Sequence, residues 1–148
     1  MIALLQRVSS ASVEVGGKEI AAIGRGLLVL VGVEKGDTEE VVSRLVDKLL
    51  KYRVFSDDED KMNLSLIDIK GQLLLVPQFT LAANTQKGLR PSFSSAASPA
   101  EGNRLFEKAV ECASQSALNV QTGRFGADMK VSLLNDGPVT FWLQISPE

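Results

Sequence analysis

Histidine is absent from this sequence, and cysteine occurs once, as Cys112, in a chain of 148 residues. Without an imidazole, nucleophile schemes that use a histidine base are excluded, and so are zinc sites built from cysteine and histidine. A single cysteine forms no disulfide within the chain, and Cys112 fits a small buried hydrophobe. The acidic segment Ser56–Lys61 lacks the glycine and the terminal glutamate of an EF-hand loop. We therefore expect neither a metal nor a cofactor.

The sequence also lacks a strong charge of either sign and any long apolar run. Its 16 basic and 18 acidic residues leave a formal net charge of −2. A broad phosphate-binding surface is therefore not expected, and any nucleic-acid contact should be local. The apolar start, Met1–Leu5, is too short for a membrane span or a signal peptide. These absences predict a cytoplasmic protein that binds neither membranes nor DNA.

The hydrophobic content is 45%, which suits one compact domain over residues 1–148. Alternating patterns over Met1–Val8 and Ala11–Ile23 predict strands, with Gly16-Gly17 as the turn of a hairpin. The continuous apolar run Leu27–Val33 predicts a central strand that is covered on both faces.

Further strands are predicted in the second half of the chain. Leu73–Val76 is a buried-strand pattern that stops at Pro77, whose missing N–H cannot continue a central ladder. Met129–Leu134 and Val139–Ile145 are two more strand patterns, and Asn135–Pro138 between them predicts a turn.

Two helices are predicted. Asp37, followed three residues later by Glu40, resembles a capped start, and a helical apolar repeat continues to about Lys51. Ser98–Glu101 is typical of a capping box with proline at the first helical position, and it begins an apolar stripe that continues to Ala117. Together these elements predict an α/β domain with many strands and two long helices packed on them.

Three short segments stand at or just after strand ends, where loops on a rigid scaffold often carry function. They are Pro77–Leu81, Gly88–Phe93 and Asn135–Thr140. Their letters, QFTL, RPSF and NDGPVT, combine with KMNLSL at Lys61–Leu66, GRFGADM at Gly123–Met129 and the N-terminal MIALLQRV. Over essentially the whole chain, this set resembles the D-aminoacyl-tRNA deacylase family.

The resemblance implies hydrolysis of the ester that joins a D-amino acid to the terminal adenosine of tRNA. It also implies a compact β-barrel with flanking helices, in a homodimer whose active sites lie at the subunit interface. In this family the Gly-Pro pair, here Gly137-Pro138, is a cis peptide that enters the partner's pocket. The turn pattern by itself favours an ordinary trans peptide, whereas the flanking NDGPVT match favours cis.

A physical reason supports recognition by main chain. D and L amino acids carry the same groups, so a pocket that separates them must fix three directions about Cα. Rigid carbonyls at Gly137 and Pro138 accept the substrate ammonium and crowd an L side chain. Such recognition also tolerates many side chains.

The catalytic residues that the resemblance implies are Gln78, Phe79 and Thr80. The hypothesis is that the N–H groups of Phe79 and Thr80 stabilise the oxyanion while Gln78 orients the ester or water. The ribose 2′-hydroxyl then assists as an internal group. The alternative, nucleophilic attack by Thr80, needs a base that no motif places nearby.

Phe125 and Met129 are predicted to line the adenosine pocket, although core packing accounts for either equally well. Basic residues near the motifs are candidates for contacts with acceptor-end phosphates; they are Arg7, Lys87, Arg90, Arg124 and Lys130. Pro77 departs from the family pattern, which usually has serine before QFT, so a tilted loop and an altered substrate preference are expected.

Two other functions stay open. One is a non-catalytic dimeric module that binds nucleotides or RNA ends, which the lack of classical catalytic side chains supports. The other is editing of glycine on an alanine tRNA, since a filter for handedness does not exclude an achiral amino acid.

Overall fold

The computed structural model describes residues 1–148 as eight strands and three helices. The strands are β1 (Ile2–Val15), β2 (Lys18–Ile23), β3 (Gly26–Gly32), β4 (Phe55–Ser56), β5 (Met62–Leu64), β6 (Gln72–Pro77), β7 (Val120–Thr122) and β8 (Lys130–Gln144). The helices are α1 (Glu39–Lys51), α2 (Leu66–Ile69) and α3 (Pro99–Ser114), and a 3-10 turn covers Phe79–Ala82. No helix has the length and apolar composition that a membrane crossing requires.

The main sheet has six strands, and β1 pairs with three of the others. Antiparallel pairing joins β1 to β2, β3 and β8, while β3–β6 and β6–β7 are parallel pairs. The resulting order is β2-β1-β3-β6-β7, with β8 paired to β1. This sheet is nearly closed and barrel-like, so the predicted α/β class is confirmed.

The apolar core lies on both faces of β3. Leu27 and Val29 belong to a cluster of 24 buried residues that also contains the inner faces of α1 and α3. Leu28 belongs to a separate cluster of 8 buried residues. Side chains alternate between the faces of a strand, so this division confirms that Leu27–Val33 is covered on both sides.

The start of α1 differs from the prediction by one residue. Thr38 is the N-cap, and its hydroxyl accepts from the amide of Val41 at 3.3 Å. Asp37 is occupied elsewhere, because its carboxylate lies 2.9 Å from the α-ammonium of Met1 and accepts from the amide of Glu34 at 2.8 Å. The ammonium is fully buried, and a buried charge without a partner is costly. The carboxylate of Asp37 therefore pairs with the ammonium and does not cap α1.

The predicted cap of α3 is confirmed in one of its two halves. Ser98 accepts from the amide of Glu101 at 3.3 Å, and Pro99 takes the first helical position. The carboxylate of Glu101 instead pairs with Arg104 at 2.9 Å, and hydrogen bonds from Arg104 hold the pKa of Glu101 below its ordinary value. The helix ends at Ser114, so the apolar stripe was predicted too long.

The short helix α2 was not predicted, although its sequence carries a signal. Ser65 accepts from the amide of Asp68 at 3.1 Å, and Asp68 accepts from the amide of Ser65 at 2.8 Å. These reciprocal bonds form a capping box. Hydrogen bonds from Ser65 accordingly lower the pKa of Asp68.

The predicted turn between two C-terminal strands is wrong. β8 is one strand that pairs with β1 on both sides of residues 136–139. Gln6 pairs with Thr140, and Val8 already pairs with Asn135, so the residues between bulge out of the ladder. Both halves keep the same antiparallel partner, and the chain therefore continues in one direction through the bulge.

Candidate active site

The 3-10 turn begins where β6 ends. The amide of Gln78 donates to the carbonyl of Val31 at 2.7 Å, which fixes the start of the turn against β3. Inside the turn, the amide of Leu81 donates to Gln78 at 3.2 Å. The amides of Phe79 and Thr80 come first, and no carbonyl within the turn accepts from them. The side-chain amide of Gln78 donates to the hydroxyl of Thr80.

Gly32 allows the turn to pack directly on β3. A Cβ atom at this position would lie 2.9 Å from the Cβ of Leu81 and 3.2 Å from the carbonyl oxygen of Gln78. Such contacts are too short for any side chain to be accommodated in place. Sequence reasoning missed Gly32, which is the last residue of β3.

A cavity of about 390 Å³ opens beside the turn. The rings of Phe79 and Phe93 meet at its wall with centroids 5.1 Å apart. The full lining is Val31, Val33, Pro77, Gln78, Phe79, Phe93, Ala96, Ala97, Ser98, Pro99, Gly102, Phe106, Phe125 and Gly126. None of these side chains is ionisable.

This wall determines what the cavity can do chemically. No lining side chain is able to act as a general acid or base near neutral pH. The aromatic surfaces suit a flat ligand such as a nucleobase, and the first amides of the turn suit a carbonyl oxygen that gains negative charge. Main-chain donors and the neutral side-chain amide of Gln78 are therefore the available catalytic groups.

The structure separates the two predicted pocket residues. Phe125 lies on the cavity wall, where its ring packs on α3 at Gly102; a Cβ there would be 3.2 Å from the ring. Met129 is absent from the wall. Its sulfur accepts from the amide of Arg124 at 3.4 Å, and its side chain packs against the smaller apolar cluster. Core packing is the role that the geometry gives Met129.

Gly137 and Pro138 lie in the bulge of β8, and the peptide bond between them is cis, as the resemblance implied. Both residues are exposed. Neither belongs to the cavity wall. One chain therefore does not bring this pair together with Gln78, Phe79 and Thr80.

Two side chains hold the bulge in place, and we call Arg7 and Asn135 the clamp. Arg7 donates through Nε to the carbonyl of Asp136 at 2.8 Å and through Nη1 to the carbonyl of Val54 at 2.7 Å. Its side chain is 13% exposed and lies 3.6 Å from the carboxylate of Asp136. Two of its donors thus serve the fold, so Arg7 is a positioning residue here and is poorly placed to meet an RNA phosphate.

Asn135 closes the bulge from within. Its amide nitrogen donates to the carbonyl of Val139 at 3.1 Å and to the hydroxyl of Thr140 at 3.2 Å. Its amide oxygen accepts from the amide of Val139 at 2.9 Å. Sequence reasoning used Asn135 only as a turn residue.

The family model described as D-Tyr-tRNA(Tyr) deacylase matches residues 4–144. This chain belongs to the D-aminoacyl-tRNA deacylase family. The D-aminoacyl-tRNA deacylase of Pseudomonas aeruginosa (strain LESB58) is 63% identical over 144 residues, which cover 97% of this chain and 99% of that protein. The protein of the same name from Haemophilus influenzae (strain 86-028NP) is 60% identical over 146 residues, covering 98% of this chain and 100% of the relative.

Two solved structures are similar to this chain over almost its whole length. A structure named c-Myc DNA Unwinding Element Binding Protein has a TM-score of 0.93 and 39% identity, with 100% of both chains covered. A structure of a probable eukaryotic D-amino acid tRNA deacylase has a TM-score of 0.84 at 19% identity, covering 97% of this chain and 98% of that one. The second likeness establishes the fold.

Pro77, the departure from the deacylase pattern, leaves the turn intact. It is the last residue of β6, it stands opposite Val31 in the parallel ladder, and it lines the cavity. The amide that matters for the turn belongs to Gln78, one residue later. The main-chain donors of this deacylase therefore do not depend on a serine at position 77.

Proposed function

We propose that this chain hydrolyses the ester bond of D-aminoacyl-tRNA and releases the free D-amino acid and tRNA. The observation that carries the proposal is the uncharged aromatic cavity beside the first amides of the turn, at Phe79 and Thr80, in a chain of the deacylase family. The place of action is the cytoplasm, where charged tRNA occurs.

In this proposal the cavity holds the terminal adenosine. Phe79, Phe93 and Phe125 offer ring faces to the base, and the apolar wall excludes water around the ribose. The ester carbonyl then points toward the amides of Phe79 and Thr80. A cavity of about 390 Å³ is in the range of small-ligand sites.

Water attacks the ester carbon, and the two amides stabilise the oxyanion of the tetrahedral intermediate. Collapse of the intermediate breaks the bond to the ribose 3′ oxygen, which leaves with a proton. The neighbouring 2′-hydroxyl relays protons between the water and this leaving oxygen. No ionisable side chain lines the cavity to take that part.

Thr80 positions rather than attacks. Its hydroxyl oxygen accepts from the side-chain amide of Gln78, which holds both side chains beside the ester. A nucleophilic threonine needs a base within hydrogen-bonding reach. Thr80 is exposed and stands outside the cavity wall, and the side chain bonded to its hydroxyl is the neutral amide of Gln78.

A second copy of the chain completes the site. Gly137 and Pro138 are exposed and lie outside their own cavity, so they are free to enter the cavity of a partner. There their carbonyls accept the substrate ammonium and crowd an L side chain. The same strand exposes Leu134 (61%) and Trp142 (52%), large apolar groups of the kind that dimer interfaces cover.

The function is tested with D-tyrosyl-tRNA, L-tyrosyl-tRNA and D-tyrosyl-tRNA that ends in 2′-deoxyadenosine. We expect selective release of D-tyrosine, a strong loss of turnover on the deoxy substrate, and substantial activity in Thr80→Ala. Thr85→Ala is the matched control, because Thr85 is also exposed but makes no hydrogen bond to Gln78. Sedimentation of the same preparation reports the dimer.

Specific outcomes overturn each part. An inactive Thr80→Ala enzyme together with an unaffected deoxy substrate rejects the 2′-hydroxyl mechanism. A monomer that still discriminates the two mirror-image esters rejects the shared site. Release of neither tyrosine favours the second candidate function, a non-catalytic module that binds RNA ends, for which the uncharged cavity wall is the supporting observation.

Glycine attached to alanine tRNA is a further substrate of the same proposed site. Glycine has no side chain, so the carbonyls that crowd an L residue leave it unhindered. The main-chain donors treat its ester as they treat that of a D-amino acid.

A further inference from the structure

A second groove, of about 440 Å³, adjoins the cavity of the candidate active site. The two share Phe106 and Phe125 as lining residues, so the ring of Phe125 borders both. The groove is lined by Asn103, Phe106, Glu107, Val110, Thr122, Gly123, Arg124 and Phe125.

The chemistry of the groove differs from that of the cavity. Its wall carries an amide, a hydroxyl and a guanidinium, on Asn103, Thr122 and Arg124. No side-chain hydrogen bond or ion pair within the chain involves these three groups. Their polar atoms are reachable from solvent, because no buried side-chain nitrogen or oxygen atom in the chain lacks a hydrogen-bond partner. They are therefore available to a ligand.

We propose that this groove binds the nucleotide that precedes the terminal adenosine, an inference that rests on the proposed function. Arg124 binds the phosphate that joins the two nucleotides, because guanidinium is suited to phosphate oxygens. Asn103 and Thr122 bond to the base edge or the ribose. Phe125 separates the two nucleosides and offers each an apolar ring surface.

The RNA strand of the substrate could also leave the cavity past a second group of basic residues. These residues lie in the loop between Asn84 and Ser92. Main-chain bonds of 2.7 and 3.0 Å join these two residues, and the loop carries Lys87, Arg90 and a fully exposed Leu89. Neither cation has an ion-pair partner. The loop offers charge without a concave surface, whereas the groove combines a cation, hydrogen-bonding groups and an aromatic wall. The groove is therefore the better fit for a nucleotide.

The experiment compares two D-tyrosyl esters, one of adenosine alone and one of the trinucleotide CCA. Arg124→Ala and Asn103→Ala should each raise KM for the trinucleotide by about tenfold, with kcat unchanged, since each removes hydrogen bonds to the ligand. Turnover of the adenosine ester should stay at the wild-type level. In Arg124→Ala the slope of log KM against log salt should fall by about 0.7.

Arg44→Ala is the matched control, because Arg44 lies on α1 away from the groove and its side chain is 43% exposed. Lys87→Ala/Arg90→Ala tests the competing loop. The inference is wrong if that double variant raises KM for the trinucleotide while Arg124→Ala does not, or if both esters respond equally to Arg124→Ala. Failure of the proposed function is distinguishable, since the wild-type protein would then cleave neither ester.

Discussion

The turn at Gln78–Ala82 and the bulge at Asn135–Val139 are the two parts of the proposed site, and they are held in different ways. The turn is fixed by main-chain hydrogen bonds and by close packing on Gly32. The bulge is fixed by the side chains of the clamp, which bond to its carbonyls and amides. The turn is thus sensitive to added atoms, and the bulge is sensitive to lost polar groups.

This difference follows from what each part presents. The turn presents N–H groups, so its own carbonyls and side chains remain available for packing. The bulge presents Gly137 and Pro138, and proline has no N–H to join a ladder. Side chains from Arg7 and Asn135 replace the missing ladder bonds. Variants of the turn should therefore lose mainly catalytic activity, and variants of the clamp should lose mainly stability.

The largest effect is expected for Gly32→Ala. The new Cβ would meet Leu81 at 2.9 Å, so the turn must move, and misplaced oxyanion donors should lower kcat/KM by about 100-fold. Steady-state kinetics with D-tyrosyl-tRNA measure the loss.

Gly24→Ala is the control for that variant, because the nearest atom to its Cβ, in Gln72, is 3.8 Å away. It should keep wild-type kinetics. Equal activity of the two variants would show that packing at Gly32 does not position the turn.

A smaller effect is expected for Arg7→Lys. A lysine keeps the charge, but its single nitrogen does not reach the carbonyls of Val54 and Asp136 with the geometry of the guanidinium fork. The free energy of unfolding should fall by about 1.5–3 kcal/mol, as measured by urea denaturation. Discrimination between D and L substrates should weaken as the bulge loosens.

Arg104→Lys is the comparison for Arg7→Lys, since the side chain of Arg104 is 51% exposed and its partners are surface carboxylates. It should leave the stability nearly unchanged, because ion pairs between exposed side chains contribute little. If Arg7→Lys proves no more costly than Arg104→Lys, the clamp is not what holds the bulge.

The smallest effect is expected for Asn135→Asp. The carboxylate keeps an acceptor for the amide of Val139 but loses the donor to Val139 and Thr140. A loss of about 1 kcal/mol in stability should follow, again by urea denaturation. Asn119→Asp, on an exposed residue beside Gln121, should be neutral, and an equal loss in both variants would contradict the role given to Asn135.

Local patterns predicted most of the elements correctly, and the two errors at the helix caps share a cause. Asp37 reads as a helix cap until the ammonium of Met1, distant in sequence, takes its carboxylate. Glu101 reads as half of a capping box until Arg104 binds it. Each side chain had two partners within reach, and charge pairing in the fold chose between them.

The residues of the candidate site stay a prediction, and their geometry was predicted only in part. The NDGPVT match predicted the cis peptide correctly, whereas neither the 3-10 turn at QFTL nor the bulge in β8 was predicted. Gly32 lies inside the apolar run Leu27–Val33, where a glycine can mark a close approach of another backbone, but the sequence does not show which segment approaches it. Met129 does not line the cavity because its side chain packs against the smaller apolar cluster. A local pattern does not show that contact.

By itself the sequence determined the strands β1, β2, β3 and β6, the two long helices and the absence of histidine chemistry, since periodicity and composition are properties of the chain alone. Only the tertiary structure decided that β8 continues through its bulge, that Arg7 holds that bulge, and that the cavity wall is uncharged. Those features arise where residues far apart in the chain meet, and a local pattern carries no information on which distant groups will share a contact.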